Sequence, residues 1–180
     1  RQRYIELLQQ NKYDRYMQSL VTTEVIESFQ CKYYDYEEFN QLAMKGNYSF
    51  SCFHMNLQSS FDNFAWLKGH LDGLNFSFDT IAISETGKKN LNICADIFDN
   101  YDFYHIEPES YKGGIGIYVR TEYDVIIRDD LSFSLPRVEN ICLEIIKGTQ
   151  HFIVFGIYRH PDYNTDDFKN VLNISIEKVL

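Results

Sequence analysis

The segment FSCFHMNLQSSFDNFAWLKGHLDGLNFSFDTIAISET, residues 50–86, has the pattern of a strand, a helix and a second strand, around which the rest of the chain is organised. Apolar runs at residues 50–55 and 78–84 predict two strands, and Ser60 between them is a candidate N-cap for a helix. Strands that are joined by a crossover helix run parallel, so the stretch predicts a βαβ unit. The apolar helix positions share the three-to-four spacing of one buried face: Phe61, Phe64, Ala65, Leu67, Leu71 and Leu74.

One polar residue follows each of these strands. Asn56 follows the first strand and Glu85 follows the second. The carboxyl ends of parallel strands meet at the edge where open α/β sheets place their ligands. Amide and carboxylate oxygens suit a hard divalent cation of the kind that activates phosphate esters. On spacing alone, residues that end a strand for solvation or turn formation remain the alternative.

The composition is typical of a globular chain. With 180 residues, of which 44% are hydrophobic and 16% aromatic, the chain suits one domain, or one domain with an appendage. No apolar run approaches the length of a membrane span, and Arg1-Gln2-Arg3 opens no signal-like region. We therefore predict an intracellular, soluble protein with no membrane partner.

The formal charge of −9, from 26 acidic and 17 basic residues, argues against broad electrostatic binding to nucleic acid. A small basic site or a metal-bridged site is compatible with this net charge. Lys88 and Lys89 follow Glu85 closely and would lie at the mouth of such a site, as phosphate contacts or as solvated surface lysines.

The four cysteines, Cys31, Cys52, Cys94 and Cys142, form no CxxC pair and no Cys/His cluster at zinc spacing. Cys52 and Cys142 stand among apolar neighbours within predicted strands. Buried free thiols in a reducing compartment are therefore favoured over disulfides.

Residues 1–45 differ from the rest of the chain, because their apolar residues suggest one or two amphipathic helical pieces. Residues 33–39 alternate aromatic and acidic side chains. We predict a helical N-terminal extension over residues 1–45 and the main domain over residues 46–180, with a partner-binding leader as the alternative for the extension.

Further strands are predicted after the βαβ unit. Residues 101–105 form one, and Gly113-Gly114 leads into another. The glycine pair is better explained as a strand entry than as a phosphate-cradling loop, because no P-loop ending and no helix follow it. Residues 139–146 and 151–158 predict an antiparallel hairpin.

The second hairpin strand is almost wholly apolar at Phe152–Ile157, which predicts a central strand with both faces covered. Thr165 or Asp166 is the expected cap of a closing helix. The apolar positions of that helix fill more than one face, so we expect a further element to cover it.

Five segments occur in an order that resembles the endonuclease/exonuclease/phosphatase superfamily, and most of all the apurinic-type endonuclease domains of non-LTR retrotransposons. The likeness extends over about residues 48–180. The segments are Phe53-His54-Met55-Asn56, Asp79–Thr86, Gly113–Tyr118, Glu139–Glu144 and Gly156–Pro161.

This resemblance implies part of a four-layered α/β sandwich with mixed β-sheets, and a hydrolase that uses Mg²⁺ or Mn²⁺ to cleave DNA. Asn56 matches the asparagine that organises metal and phosphate, Glu85 the metal-binding glutamate, and Tyr158 the tyrosine that contacts the scissile phosphate. Gln58 stands where many relatives carry arginine. A nuclear location would follow from this role.

The family also uses a downstream Asp-x-Asn pair and a histidine near the end of the domain, and the chain ends at Leu180 before either would occur. None of its own histidines has the family's context. We therefore expect the 180 residues alone to be inactive or weakly active, and an unfinished sheet edge to favour self-association or a protein partner. The alternatives are a truncated or repurposed binding domain, and a phosphatase or phosphodiesterase that acts on a small phosphate ester.

Overall fold

The computed structural model describes residues 32–87, 94–108 and 112–179. The chain divides into two units, Arg1–Phe39 and Asn40–Leu180, and the described part of the first unit is residues 32–39. The boundary between residues 45 and 46 stays a prediction, as do the helical pieces and Cys31, which lie outside the described residues. At the start of the first described helix, Asp35 Oδ1 accepts a hydrogen bond from the Glu38 backbone N–H at 2.8 Å.

Three helices and seven strands lie in the described part of the chain. In order they are α1 (Tyr36–Lys45), β1 (Cys52–Asn56), α2 (Phe61–Asp72), β2 (Thr80–Ser84), β3 (Tyr101–Ile106), β4 (Ile115–Arg120), β5 (Asp124–Ile127), β6 (Val138–Lys147), β7 (Gln150–Arg159) and α3 (Thr165–Glu177).

The first sheet has the strand order β1-β2-β4-β3 and is mixed. β1 and β2 run parallel with α2 between them, which confirms the predicted βαβ unit. β4 is antiparallel to both β2 and β3. It begins after Gly114, whose φ of +103° is readily accessible only to glycine, so the glycine pair serves as a strand entry as expected.

The second sheet is antiparallel, with the order β5-β6-β7. The β6–β7 pair is the predicted hairpin, and Gly148 at its turn has a φ of +64°. β5 was not foreseen from the sequence. The prediction that the second hairpin strand lies centrally is wrong for the described residues, because β7 is at the sheet edge and Phe152–Phe155 are only half-buried.

The two sheets pack face to face as an α/β sandwich. Their shared core contains Ala82, Ile115, Ile117 and Val119 from the first sheet, and Ile141, Leu143 and Ile145 from the second. Gly156 of β7 allows a close approach, since a Cβ there would lie 3.0 Å from Ile115 Cγ1 and 3.1 Å from Ile117 Cδ1. This packing positions β7 over β4 and so brings the carboxyl end of β7 near that of β2.

A buried carboxylate also links the sheets, at the end of β2 opposite Glu85. Asp79 accepts hydrogen bonds from the Ser51 backbone and hydroxyl, at 2.7 and 2.8 Å, and from the Tyr123 hydroxyl. Lys147 Nζ, at the end of β6, lies 2.8 Å from its Oδ1. Burial opposes the charged form of Asp79, but the hydrogen bonds from Lys147 and the other donors outweigh it and lower its pKa.

The helix caps differ in part from expectation. Ser60 occupies the N-cap of α2, but its hydroxyl makes no capping hydrogen bond. α3 is capped by Asn164, not by Thr165 or Asp166, because the Asn164 side chain accepts from the backbone N–H groups of Asp166 and Asp167. Ile174 and Ile176 of α3 are 54% and 41% exposed, so parts of its apolar surface are open in this structure.

Of the cysteines that the structure describes, Cys52, Cys94 and Cys142 are free thiols. Cys94 and Cys142 are buried, and burial raises the pKa of Cys142 to about 11. The expectation that Cys52 is buried is wrong, since it lies on the edge strand β1 and is exposed.

Within the described residues, no helix is both long enough and apolar enough to cross a membrane.

Candidate active site

The candidate site is built at the carboxyl edge of β1 and β2. Asn56, the last residue of β1, is the register partner of Ser84, the last residue of β2. The pairing continues one residue further, because the Leu57 N–H donates to the Ser84 carbonyl at 2.8 Å. Asn56 and Glu85 therefore lie at one sheet edge, as the parallel strands required.

Glu85 is held in an unusual backbone conformation, with a φ of +55°. Its carbonyl accepts hydrogen bonds from the Ser59 N–H at 2.7 Å and the Ser59 hydroxyl at 3.2 Å. Ser59 and its neighbour Gln58 are also left-handed, with φ values of +55° and +51°. Such conformations cost about 1–3 kcal/mol each and persist only where surrounding contacts impose them, often at functional sites.

Asn56 projects its amide from the end of β1 and is exposed. Its Oδ1 accepts the Gln58 N–H at 2.9 Å, which fixes the orientation of the amide. An amide oxygen has two lone pairs, so one remains available for another partner.

The segment after Glu85 is fastened to the glycine pair before β4. The Thr86 N–H donates to the Gly114 carbonyl at 3.5 Å, and the Gly87 N–H donates to the Gly113 carbonyl at 2.9 Å. Glu85 is thus supported on one side by Ser59 and on the other by the glycine pair.

Tyr158 enters the site from the second sheet, near the end of β7. Its hydroxyl interacts electrostatically with the Glu85 carboxylate. Burial raises the pKa of Tyr158 to about 12, and the negative charges of Glu85 and Glu139 add to the shift. The structure therefore brings Tyr158 and Glu85 close together, with Asn56 at the same edge as Glu85.

Glu139 is a site residue that the sequence did not single out, although it opens one of the five family-like segments. It is 3% exposed and is the cross-strand partner of Tyr158. Its Oε2 accepts a hydrogen bond from the Gly114 N–H. The sequence feature that could have identified Glu139 is a charged residue at the start of an apolar strand, downstream of a glycine pair.

Two histidines border the site. His54 Nε2 lies 3.2 Å from the Ser84 hydroxyl. Although part of the ring is open to solvent, burial lowers its pKa, so the ring is mainly neutral at pH 7. The centroid of the His160 ring lies 5.0 Å from the centroid of the Tyr158 ring, and the two rings are packed edge to face. Lys88 and Lys89 lie outside the described residues.

The oxygen ligands at this edge fit a hard divalent cation. Within the described residues, no three His, Cys, Asp or Glu side chains come together as a closed metal site. Mg²⁺ does not require one, because proteins commonly hold it through one or two carboxylates while waters and substrate phosphates complete the shell. The Glu85 carboxylate and the Asn56 amide oxygen are donors of the kind that such an open site would use.

The arrangement of these two sheets is an endonuclease/exonuclease/phosphatase-type fold, as solved structures show. The chain is similar to the endonuclease domain of TRAS1, a telomere-specific non-LTR retrotransposon, with a TM-score of 0.53 and 14% identity over 73% of this chain and 54% of that one. It is also similar to a humanized D. rerio TDP2 carrying 14 mutations, with a TM-score of 0.54 and 11% identity over 72% of this chain and 56% of that one.

The chain thus spans about half the length of the solved structures that it matches. No family model matches the sequence, and no curated protein sequence does. At these identities the similarity shows the fold alone.

Proposed function

We propose that the chain carries the metal-binding part of a divalent-cation-dependent DNA endonuclease, of the kind that retrotransposons encode. The observation that carries this proposal is that Asn56 and Glu85 lie at one sheet edge, where Tyr158 of the second sheet interacts with the Glu85 carboxylate. TRAS1 supports the choice of an endonuclease, since its matching domain has that activity. This role would place the protein in the nucleus.

In this proposal Glu85 is the principal metal ligand and Asn56 a second oxygen donor. A bound Mg²⁺ or Mn²⁺ supplies Lewis-acid polarisation of a phosphoryl oxygen. The chain's own residues orient the phosphate: Tyr158 keeps its hydroxyl hydrogen at physiological pH because its pKa is about 12, and it can donate that one hydrogen either to the Glu85 carboxylate or to a phosphate oxygen of the substrate. The contact with Tyr158 also fixes the Glu85 carboxylate before the substrate arrives.

A metal-binding and nicking experiment tests the proposal. The 180-residue chain and its Glu85→Gln variant are titrated with Mn²⁺ while paramagnetic broadening of NMR signals is followed, and supercoiled plasmid is incubated with each protein and Mg²⁺. We expect broadening centred on residues 56 and 85 in the parent and its loss in the variant. Nicking by the parent should be weak at most, and should disappear in the variant.

The outcomes separate the alternatives. Absence of Mn²⁺ binding at residues 56 and 85 would reject the proposal. Metal binding with little or no nicking is the result expected for the metal-binding part of an endonuclease. Nicking that persists in the Glu85→Gln variant would place cleavage at other residues, and release of phosphate from small esters without nicking would favour the phosphatase.

We also propose self-association through β7, which is the edge strand of its sheet within the described residues. Its half-buried apolar residues and unpaired backbone groups can pair with another strand. Sedimentation that shows a monomer at all concentrations would reject this proposal.

A further inference from the structure

We propose that Glu139 is a positioning residue that sets the placement of Glu85 and Tyr158 from the buried side of the candidate site. The inference rests on the proposed function for its catalytic meaning, but its structural content can be tested without activity. Glu139 contacts backbone and side chains on both sides of the site and is itself shielded from solvent, with a side chain that is 2% exposed.

The first connection runs from Glu139 to Glu85 through the glycine pair. Glu139 Oε2 accepts from the Gly114 N–H, and a Cβ at position 113 would overlap the Glu139 carboxylate. The carbonyls of Gly113 and Gly114 in turn accept from the two residues that follow Glu85. Glu139 therefore fixes the glycine pair, and the glycine pair fixes the segment that begins with Glu85.

The second connection runs from Glu139 to Tyr158. The two residues are directly opposed in the β6–β7 ladder, so their side chains lie on the same face of the sheet. Glu139 Oε1 is 3.8 Å from His160 Nε2, a buried nitrogen that makes no hydrogen bond within the described residues. The Glu139 carboxylate thus occupies the space beneath Tyr158 and beside His160.

These contacts distinguish Glu139 from a metal ligand and from an ordinary core residue. Oε2 is engaged by Gly114 and Oε1 faces His160, so the carboxylate is directed into the protein. A buried carboxylate is unfavourable unless specific partners offset its desolvation, so an apolar residue would serve packing alone better. What the carboxylate adds is a charge-assisted hydrogen bond that orders the support of Glu85.

Three variants test the inference. Glu139→Gln retains an acceptor but removes the charge, Glu139→Ala removes both, and Gly113→Ala displaces an intact Glu139. Glu144→Gln is the matched control, because Glu144 is also on β6 but pairs with Arg128 and His151 instead.

The measurements are the amide ¹H and ¹⁵N NMR shifts of Gly114, Thr86 and Gly87, the ¹H shifts of the Tyr158 ring, the Mn²⁺ dissociation constant, and the thermal midpoint. In the parent we expect a downfield Gly114 amide proton, as a charge-assisted hydrogen bond produces. Glu139→Ala and Gly113→Ala should lose that shift, alter the Thr86 and Gly87 signals, and weaken Mn²⁺ binding by about 10- to 100-fold, as is common when the support of a metal ligand is removed. Glu139→Gln should fall between them and the parent, and Glu144→Gln should leave all three signals and the Mn²⁺ affinity unchanged.

If the parent binds no Mn²⁺, the proposed function fails, and the positioning role is then decided by the Thr86, Gly87 and Tyr158 ring signals alone. If Glu139→Ala does not fold, the Glu139→Gln variant tests the inference instead. Altered Thr86, Gly87 and Tyr158 signals in that variant would support the positioning role of Glu139. Unchanged signals and Mn²⁺ affinity in a folded Glu139→Gln variant, or equal changes in Glu144→Gln, would overturn it.

Discussion

The Tyr158 hydroxyl on β7 interacts with the Glu85 carboxylate beyond β2, and this interaction connects the two sheets at the candidate site. Tyr158 is held by the β6–β7 ladder of the second sheet. The Glu85 backbone, directly after β2 of the first sheet, is held by a hydrogen bond from Ser59. Groups held by rigid elements lose little entropy when they bind a ligand. The contact therefore preorganises the site.

Glu85→Gln should reduce divalent-metal affinity while leaving the fold intact. The change removes one charge, keeps the side-chain shape, and still allows Tyr158 to donate to the amide oxygen. We expect a loss of metal affinity of at least about tenfold, measured by Mn²⁺ titration. The free energy of unfolding should change by less than about 1 kcal/mol in urea denaturation. Loss of folded protein would instead make Glu85 a structural residue.

Tyr158→Phe should destabilise the fold by about 1 kcal/mol, the usual net contribution of one polar side-chain interaction, because it removes the interaction of the hydroxyl with Glu85. The raised pKa of Tyr158, about 12 against an ordinary 10, means that the folded state favours the neutral phenol. The part of the free energy of unfolding that is linked to this pKa shift is therefore fully present below pH 10, and it is lost as the pH rises from 10 to 12. Denaturation of parent and variant at several pH values checks this, and a constant difference through pH 12 would contradict it.

Asp79→Asn should destabilise the chain on the order of 3 kcal/mol, because it removes the charged acceptor that Lys147, Tyr123 and Ser51 share. The pKa of Asp79 lies below its ordinary value of 3.8. Its stabilising contribution is therefore present above about pH 4 and is lost as the pH falls through the folded-state pKa. Urea denaturation between pH 2 and about 7 measures both effects.

Lys147→Met provides the partner for a double-mutant cycle with Asp79→Asn. The two single changes should be non-additive, since both interrupt one contact of 2.8 Å. Strict additivity would show that the ion pair contributes nothing and that the neutral donors hold Asp79.

Gly156→Ala should destabilise by about 1–3 kcal/mol, the usual cost of overpacking a core. The new methyl group would lie 3.0–3.1 Å from the Ile115, Ile117 and Ile141 side chains, so the sheets must separate slightly. Gly69→Ala is the matched control on α2, where a Cβ meets nothing within 4 Å. It should stabilise by up to about 1 kcal/mol through helix propensity. Thermal and urea denaturation of both variants show whether each change raises or lowers the free energy of unfolding. A Gly156→Ala protein as stable as the parent would indicate looser sheet packing.

Local sequence patterns were enough to predict the βαβ unit, the parallel pairing of β1 and β2, and the common edge of Asn56 and Glu85. It also indicated the β6–β7 hairpin and the strand after the glycine pair. These features depend on local patterns. Hydrophobic periodicity indicates which segments form helices and strands, and two neighbouring strands that are joined by a crossover helix run parallel.

The packing of the two sheets against each other became visible only in three dimensions, and so did the Tyr158–Glu85 interaction and the buried position of Glu139. It also placed β7 at a sheet edge and Cys52 on an exposed strand, against expectation. An apolar run looks the same in the sequence whether its strand is central or at an edge, because strand order follows from pairing between distant segments. The roles of Glu139 and Gly113 likewise exist only once β6 lies beside the entry to β4.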